Sequence, residues 1–192
     1  MKKILSVIMA SLTLVTLVAC GAEKPEEVVN SFYKSLKEYN VEEIKTAVEQ
    51  SNSEEKASNK TTEEEVNAVK NACKSVDAKV VDTKINGDNA EVDVEVTAID
   101  GNDIMKNYMQ YSLTTALNGA VSGETDAQLE KKSNEELLKL ANNKDAKKST
   151  QNFTIKLVKK DNVWKIQDWE NVILETFNLK DFADFAKVFQ GK

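Results

Sequence analysis

The sequence predicts an α+β fold: N-terminal helices packed on a curved antiparallel sheet of two hairpins, a helical insertion between the hairpins, and a C-terminal helix. Three observations carry this reading. Val28, Phe32, Leu36 and Tyr39 recur at helical spacing. The period then falls to two, with Val92, Val94, Val96 and Ala98 alternating with Glu91, Asp93, Glu95 and Thr97. After a long helical stretch a second alternating segment follows, "NFTIKLVKKDNVWKIQDW".

Each element has a local reason. Pro25, the single proline, suits the first turn of a helix, where its missing N–H costs nothing, and Glu26 and Glu27 suit the positive helix N-terminus. Val41, Ile44 and Val48 predict a shorter second helix, and the polar run "SNSEEKASNKTT" a loop. A third helix is expected from about Thr62 to Ser75, with Thr62 and Glu65 at capping-box spacing. Its apolar face is Val66, Val69, Cys73 and Val76.

Two turns, "NGDN" and "KKDN", divide the alternating segments into hairpins with four-residue connections. Pairing Ile85 with Ala90 places Thr83 opposite Val92 and Val81 opposite Val94, and it sets Lys84 opposite Glu91. Pairing Val158 with Val163 places Leu157 opposite Trp164 and Ile155 opposite Ile166. The insertion, at about residues 102–143, carries Ile104, Met105, Tyr108, Met109, Ser112, Leu113, Ala116 and Leu117 as a broad apolar stripe, expected to be core. "GAVSGETD" breaks it, and Ser133 with Glu136 marks the next helix start. At the C-terminus Leu179, Phe182, Phe185, Ala186 and Phe189 share one side, expected to dock on the sheet rather than dip into a lipid interface.

The N-terminus is of another kind. Lys2 and Lys3 precede an apolar run, Ile4 to Ala19, that is shorter than the roughly 20 residues a bilayer span needs. Basic head, apolar middle and small-residue exit are the parts of a secretory signal peptide. The exit, Leu17-Val18-Ala19-Cys20, resembles the lipobox of bacterial lipoproteins. That resemblance implies cleavage between Ala19 and Cys20, a diacylglyceryl group on the Cys20 thiol, and a place on the extracytoplasmic face of the cell membrane. Two acyl chains hold a protein on a bilayer where one does not. Residues 1–19 are then the signal peptide, 20–25 a tether, and 26–192 a single domain.

Composition narrows the chemistry. The formal net charge is −6, and it becomes −8 once Lys2 and Lys3 leave with residues 1–19, 24 lysines then facing 32 acids. Such a balance argues against nucleic acid as a partner and against a polybasic grip on anionic lipid. The chain has no His, and all 26 basic residues are Lys. Ser-His-Asp and Cys-His catalysis, imidazole-based zinc sites and bidentate Arg recognition are therefore excluded within it. With Cys20 acylated, Cys73 has no internal partner, and its place on an apolar helix face suits a small buried hydrophobe.

Helices first, then two hairpins, then a Trp-Lys-Ile strand: this order resembles the NTF2-like (cystatin-like) superfamily, in particular small NTF2-like lipoproteins of Gram-positive bacteria. "PEEVVNSFYKSLKEYNVEEIKTAV" and "FTIKLVKKDNVWKI" carry the likeness, over roughly residues 25–170. The resemblance implies a cone whose concave sheet packs on helices and can enclose an apolar cavity. Some members are enzymes and many only bind. The family's catalytic residues have no matching position here, and the insertion and Phe-rich tail depart from its compact pattern.

Glu91, Asp93 and Glu95 on one strand face are spaced too widely to share a cation and are expected to be solvated. Met105, Tyr108, Met109 and Tyr111 are the candidates for an apolar ligand pocket, since Met adapts to ligands and Tyr adds a polar tip. No metal or cofactor is called for. The expected function is a non-catalytic binding or interaction module for a small apolar ligand, a cell-wall component or an envelope protein. An enzyme using Asp, Glu, Tyr or Lys inside the cone, and a structural or inhibitory surface protein, are the alternatives.

Overall fold

The computed structural model describes residues 23–49 and 62–189, with side chains as far as Asp184. The signal segment, Cys20, Gly21, Ala22 and the polar loop before Thr62 lie outside the described residues, as do the side chains of Phe185, Ala186 and Phe189. Among the described residues the chain is α+β, with seven helices and one open, four-stranded antiparallel sheet in the order β1-β2-β3-β4.

Helix α1 (Pro25–Glu38) begins as the sequence predicts, with Pro25 at its first position and the Lys24 N–H donating to Glu27 Oε2 at 3.0 Å. It ends on Tyr39, whose backbone is left-handed (φ 56°), and the Asn40 N–H closes the turn onto the Ser35 carbonyl at 2.8 Å. Val28, Val29, Phe32, Tyr33 and Leu36 are buried. Helix α2 (Val41–Ala47) follows at once, and the chain leaving it seals a sheet edge: Val48 bridges to Ile166, and the Glu49 N–H donates to the Ile166 carbonyl at 2.8 Å. Helix α3 (Glu63–Lys74) has the expected box: Glu65 N–H to Thr62 Oγ1 at 3.2 Å and Thr62 N–H to Glu65 Oε2 at 2.8 Å.

Strands β1 (Asp77–Asn86), β2 (Asn89–Ile99), β3 (Lys148–Lys160) and β4 (Val163–Ile166) form a meander, with β2 and β3 paired along the whole of β2. Ala90, Val92, Val94, Val96 and Ala98 are buried on the inner face, as are Ile155, Leu157, Trp164 and Ile166. Each fully buried side chain of this size contributes about 1.5–3 kcal/mol.

Both hairpins are tighter than expected. Asn86 pairs with Asn89 across a two-residue turn, with Gly87 at φ +60°. Lys160 pairs with Val163 across Asp161-Asn162, both at positive φ (51° and 64°). Positive φ at both central residues is the type I′ pattern, whose twist matches the strands and which Asn and Asp tolerate. The register of the second hairpin is therefore two residues from the expected one: Leu157 faces Ile166 and Trp164 faces Lys159. A shift of two leaves every side chain on its expected face. In the first hairpin Ile85–Ala90, Thr83–Val92 and Lys84–Glu91 pair as expected. The register then slips between Val80 and Asp82, so Val80 rather than Val81 faces Val94 and Val81 is 62% exposed. An extra residue on an edge strand is a β-bulge.

The insertion is an antiparallel pair, α4 (Gly101–Ser122) and α5 (Asp126–Ala141). Asp100 caps α4: its Oδ1 accepts from the Asp103 N–H at 3.1 Å and from Asn178 Nδ2 at 2.9 Å. Gly123, at φ +75°, ends it. Helix α5 starts at Asp126, not after Ser133, because Thr125 and Gln128 already form a box there: Thr125 N–H to Gln128 Oε1 is 2.9 Å. After β4 the chain forms a short helix the sequence reading missed, α6 (Trp169–Thr176), and then α7 (Lys180–Phe189). Val172, Ile173 and Phe177 join the core, and Leu179 packs against it half-buried.

Gly87 supplies a conformation that a side chain strains. Gly87→Ala is expected to cost about 1–2 kcal/mol in urea unfolding, with an unchanged m-value. Asn162→Gly, at a turn already built for positive φ, is expected to stay within about 0.5 kcal/mol of the parent or to stabilise.

Candidate functional site

The inner face of the sheet is the place where a cone-shaped fold would hold a ligand, and here it is filled. Phe32, Val29 and Leu36 of α1 join Val92, Val94, Val96, Ile155, Leu157 and Ile166 in one continuous core, all at 2% exposure or less. The Phe32 and Tyr33 rings meet edge to face at 5.2 Å. The Tyr33 hydroxyl lies 3.2 Å from Thr176 Oγ1, and burial raises its pKa, so it stays a neutral phenol. Cys73 is buried as expected, and burial pushes its thiol up to about 12. Asp100 is buried at the sheet's end, where the cap of α4, Asn178 and Lys147 (3.8 Å) surround its carboxylate. These groups tie elements together: Tyr33 joins α1 to α6, and Asp100 joins α4 to the turn after α6.

The four ligand-pocket candidates share α4 but do not enclose a space. Met105 is buried, Tyr108 and Tyr111 are half-buried, and Met109 is 43% exposed. A hollow of about 320 Å³ lies elsewhere, between α3 and α5, lined by Glu64, Asn67, Leu138, Lys139 and Asn142. It is shallow and its lining is mixed, with Asn71 Nδ2 bonded to Asn142 Oδ1 at 2.9 Å beside it. Glu91 and Glu95 are exposed and Asp93 half-exposed, as expected of a solvated face. Asp93 accepts from Thr154 Oγ1 at 2.6 Å, and Lys84 lies 3.7 Å from it rather than against Glu91. Among the described residues no three Cys, Asp or Glu side chains converge as a metal site would require.

The unusual surface is on α4. The stripe expected to be core runs out of cover: Leu113 is 64% exposed, Leu117 63% and Val121 91%. The reason is architectural. Beyond its first turns α4 has α5 as its main neighbour, and α5 covers one flank, where Gly119 sits so close to Leu129 that a β-carbon would meet it at 2.4 Å. The opposite flank carries Met109, Leu113, Ala116, Leu117, Ala120 and Val121. A sequence signal for this surface exists. Residues 107–123 contain no Asp, Glu or Lys, in a chain that is 30% charged. A helix that presents one side to its partner and the other to water normally carries charges on the wet side.

Comparison with known proteins adds no relative: the chain has no significant match among protein-family models, curated proteins or solved structures.

Cys73 is expected to resist thiol reagents in the folded protein. With its pKa near 12 the group is a protonated thiol at pH 8, and it should react only on unfolding, where it regains an ordinary thiol pKa. Because the folded value is the higher one, the unfolded chain loses this proton first as pH rises. Stability from this group is therefore full below pH 9 and declines between about pH 9 and 12, which urea midpoints at pH 7 and pH 10 will register.

Proposed function

We propose that this chain is a lipid-anchored protein of the extracytoplasmic membrane face, working as a non-catalytic interaction module through its outer surface. One observation carries the address: the apolar run Ile4–Ala19 ends in Leu17-Val18-Ala19-Cys20 and gives way at once to a strongly charged segment. Acylated Cys20 stands five residues before α1, so the folded body would sit close to the bilayer on a tether of at most about 18 Å. The fold is read as NTF2-like, a reading supported by three helices ahead of a meander sheet in the order of that superfamily.

The filled inner face favours an envelope protein partner over a small apolar ligand or a cell-wall fragment held in the cone. A buried ligand needs a cavity of some 300–1,000 Å³ with convergent polar groups, and the space under the sheet is occupied by Phe32, Leu36 and Trp164. What remains for recognition is surface, and among the described residues the exposed flank of α4 carries a continuous apolar row. Single exposed apolar side chains are ordinary; a contiguous row of them marks an interaction site.

Metabolic labelling with a fatty acid tests the anchor. The native chain is expected to take up label and to sediment with membranes, and Cys20→Ser to lose the label. An unlabelled native protein, or one whose intact mass includes residues 1–19, overturns the reading. Fatty acids, isoprenoids and cell-wall fragments are expected to leave the melting temperature of the chain unchanged, since nothing binds inside; a rise of several degrees with any of them would return the function to the interior.

A further inference from the structure

We propose that the exposed flank of α4 is where two copies of this chain pair, antiparallel, about a two-fold axis midway between Leu113 and Leu117. The inference names the partner for the outer-surface function above and in that sense rests on it. Met109, Leu113, Leu117 and Val121 follow one another at intervals of four, which makes them a single ridge along the helix. Ala116 and Ala120, both exposed, form a shallow groove beside it. Packing such a ridge into such a groove on both sides gives the commonest helix crossing, at about −50°. With the axis midway between Leu113 and Leu117 the same operation sets Met109 against the partner's Val121 and Leu113 against the partner's Leu117. An isologous contact of this kind requires a patch complementary to itself, and this one is.

Charge selects the same occupant. Two copies of a chain with net charge −6 repel over most of their surface. Residues 107–123 carry no acid and no lysine, so two copies meeting there bring no like charges together. A lipid surface would call for several lysines flanking the apolar row; Lys106 alone precedes it, and the turn that follows is acidic, with Glu124 and Asp126. The exposed row amounts to several hundred Å² per copy, which doubled approaches the roughly 1,000 Å² at which specific interfaces begin. Both copies held at one membrane would meet in two dimensions, at a raised effective concentration.

Cross-linking the full chain in the membranes of producing cells tests the pairing. Ala116→Cys places a thiol close to the axis, and a short bis-maleimide is expected to convert most of it to a species of twice the mass. The parent chain and Asp82→Cys, on the exposed edge of β1, are expected to stay at single mass. Adding Leu117→Glu to Ala116→Cys is expected to lower the cross-linked fraction roughly tenfold. Because Leu117 is mostly exposed, melting followed by circular dichroism should confirm an unchanged fold. Ala116→Cys remaining at single mass, cross-linking undiminished by Leu117→Glu, equal cross-linking of Asp82→Cys, or an adduct of some other mass would each overturn the pairing. A chain that cross-links but takes up no fatty acid removes the anchor and leaves the pairing standing; one that takes up fatty acid and never cross-links does the opposite.

Discussion

The structure depends on α1 lying against the inner face of the sheet. Phe32 and Val29 are wholly buried and Leu36 nearly so, under strands whose inward residues are equally dry. Because the inner face of β2 is small and β-branched (Ala90, Val92, Val94, Val96, Ala98), the larger side chains of α1 and β3 can approach it and leave no space. Close packing of this kind is worth several kcal/mol per large side chain, and truncating Phe32 would open a void that the stiff β-branched neighbours could not close. The same contact consumes the inner surface of the sheet with the protein's own first helix.

How much of this could be read from the sequence follows from how local each determinant is. Alternation in β2 fixed its two faces, and the Thr62–Glu65 spacing fixed the start of α3, since both depend on neighbours in the chain. Hairpin faces were legible but not every register: in the first hairpin the tighter turn only adds the Asn86–Asn89 pair, whereas in the second Val163 pairs with Lys160 instead of Val158. That choice depends on Asp161 and Asn162 accepting positive φ. The slip at Val81 had no signal of its own, because a bulge on an edge strand is allowed rather than dictated. Helix α6 was missed because "WENVILET" is short and its burial comes from contacts with β2 and β3 far along the chain.

The α4 stripe shows the opposite failure. Helical spacing of apolar residues identified a face correctly, and burial was inferred from it. Burial, however, depends on how many neighbours the fold supplies, and α5 supplies cover on one flank only. The four pocket candidates therefore separate along a single helix, from Met105 in the core to Met109 near the water. The charge-free run of residues 107–123 was the better signal, because solvent-facing helix positions without charge need a reason.

The two rims of the sheet are finished differently. β4 is stoppered by its own chain through Val48 and Glu49, with Lys165 reaching the Thr46 carbonyl to fasten the plug. Among the described residues no strand pairs with the outer side of β1, which is kinked at Val81 and guarded by the exposed Lys79 and Lys84. Both finishes work against edge pairing at β1 and β4, while among the described residues β3 from Lys148 to Ile155 pairs with β2 only. At the β1 and β4 rims a second copy is thereby denied easy backbone pairing, and a contact made there has to be built from side chains.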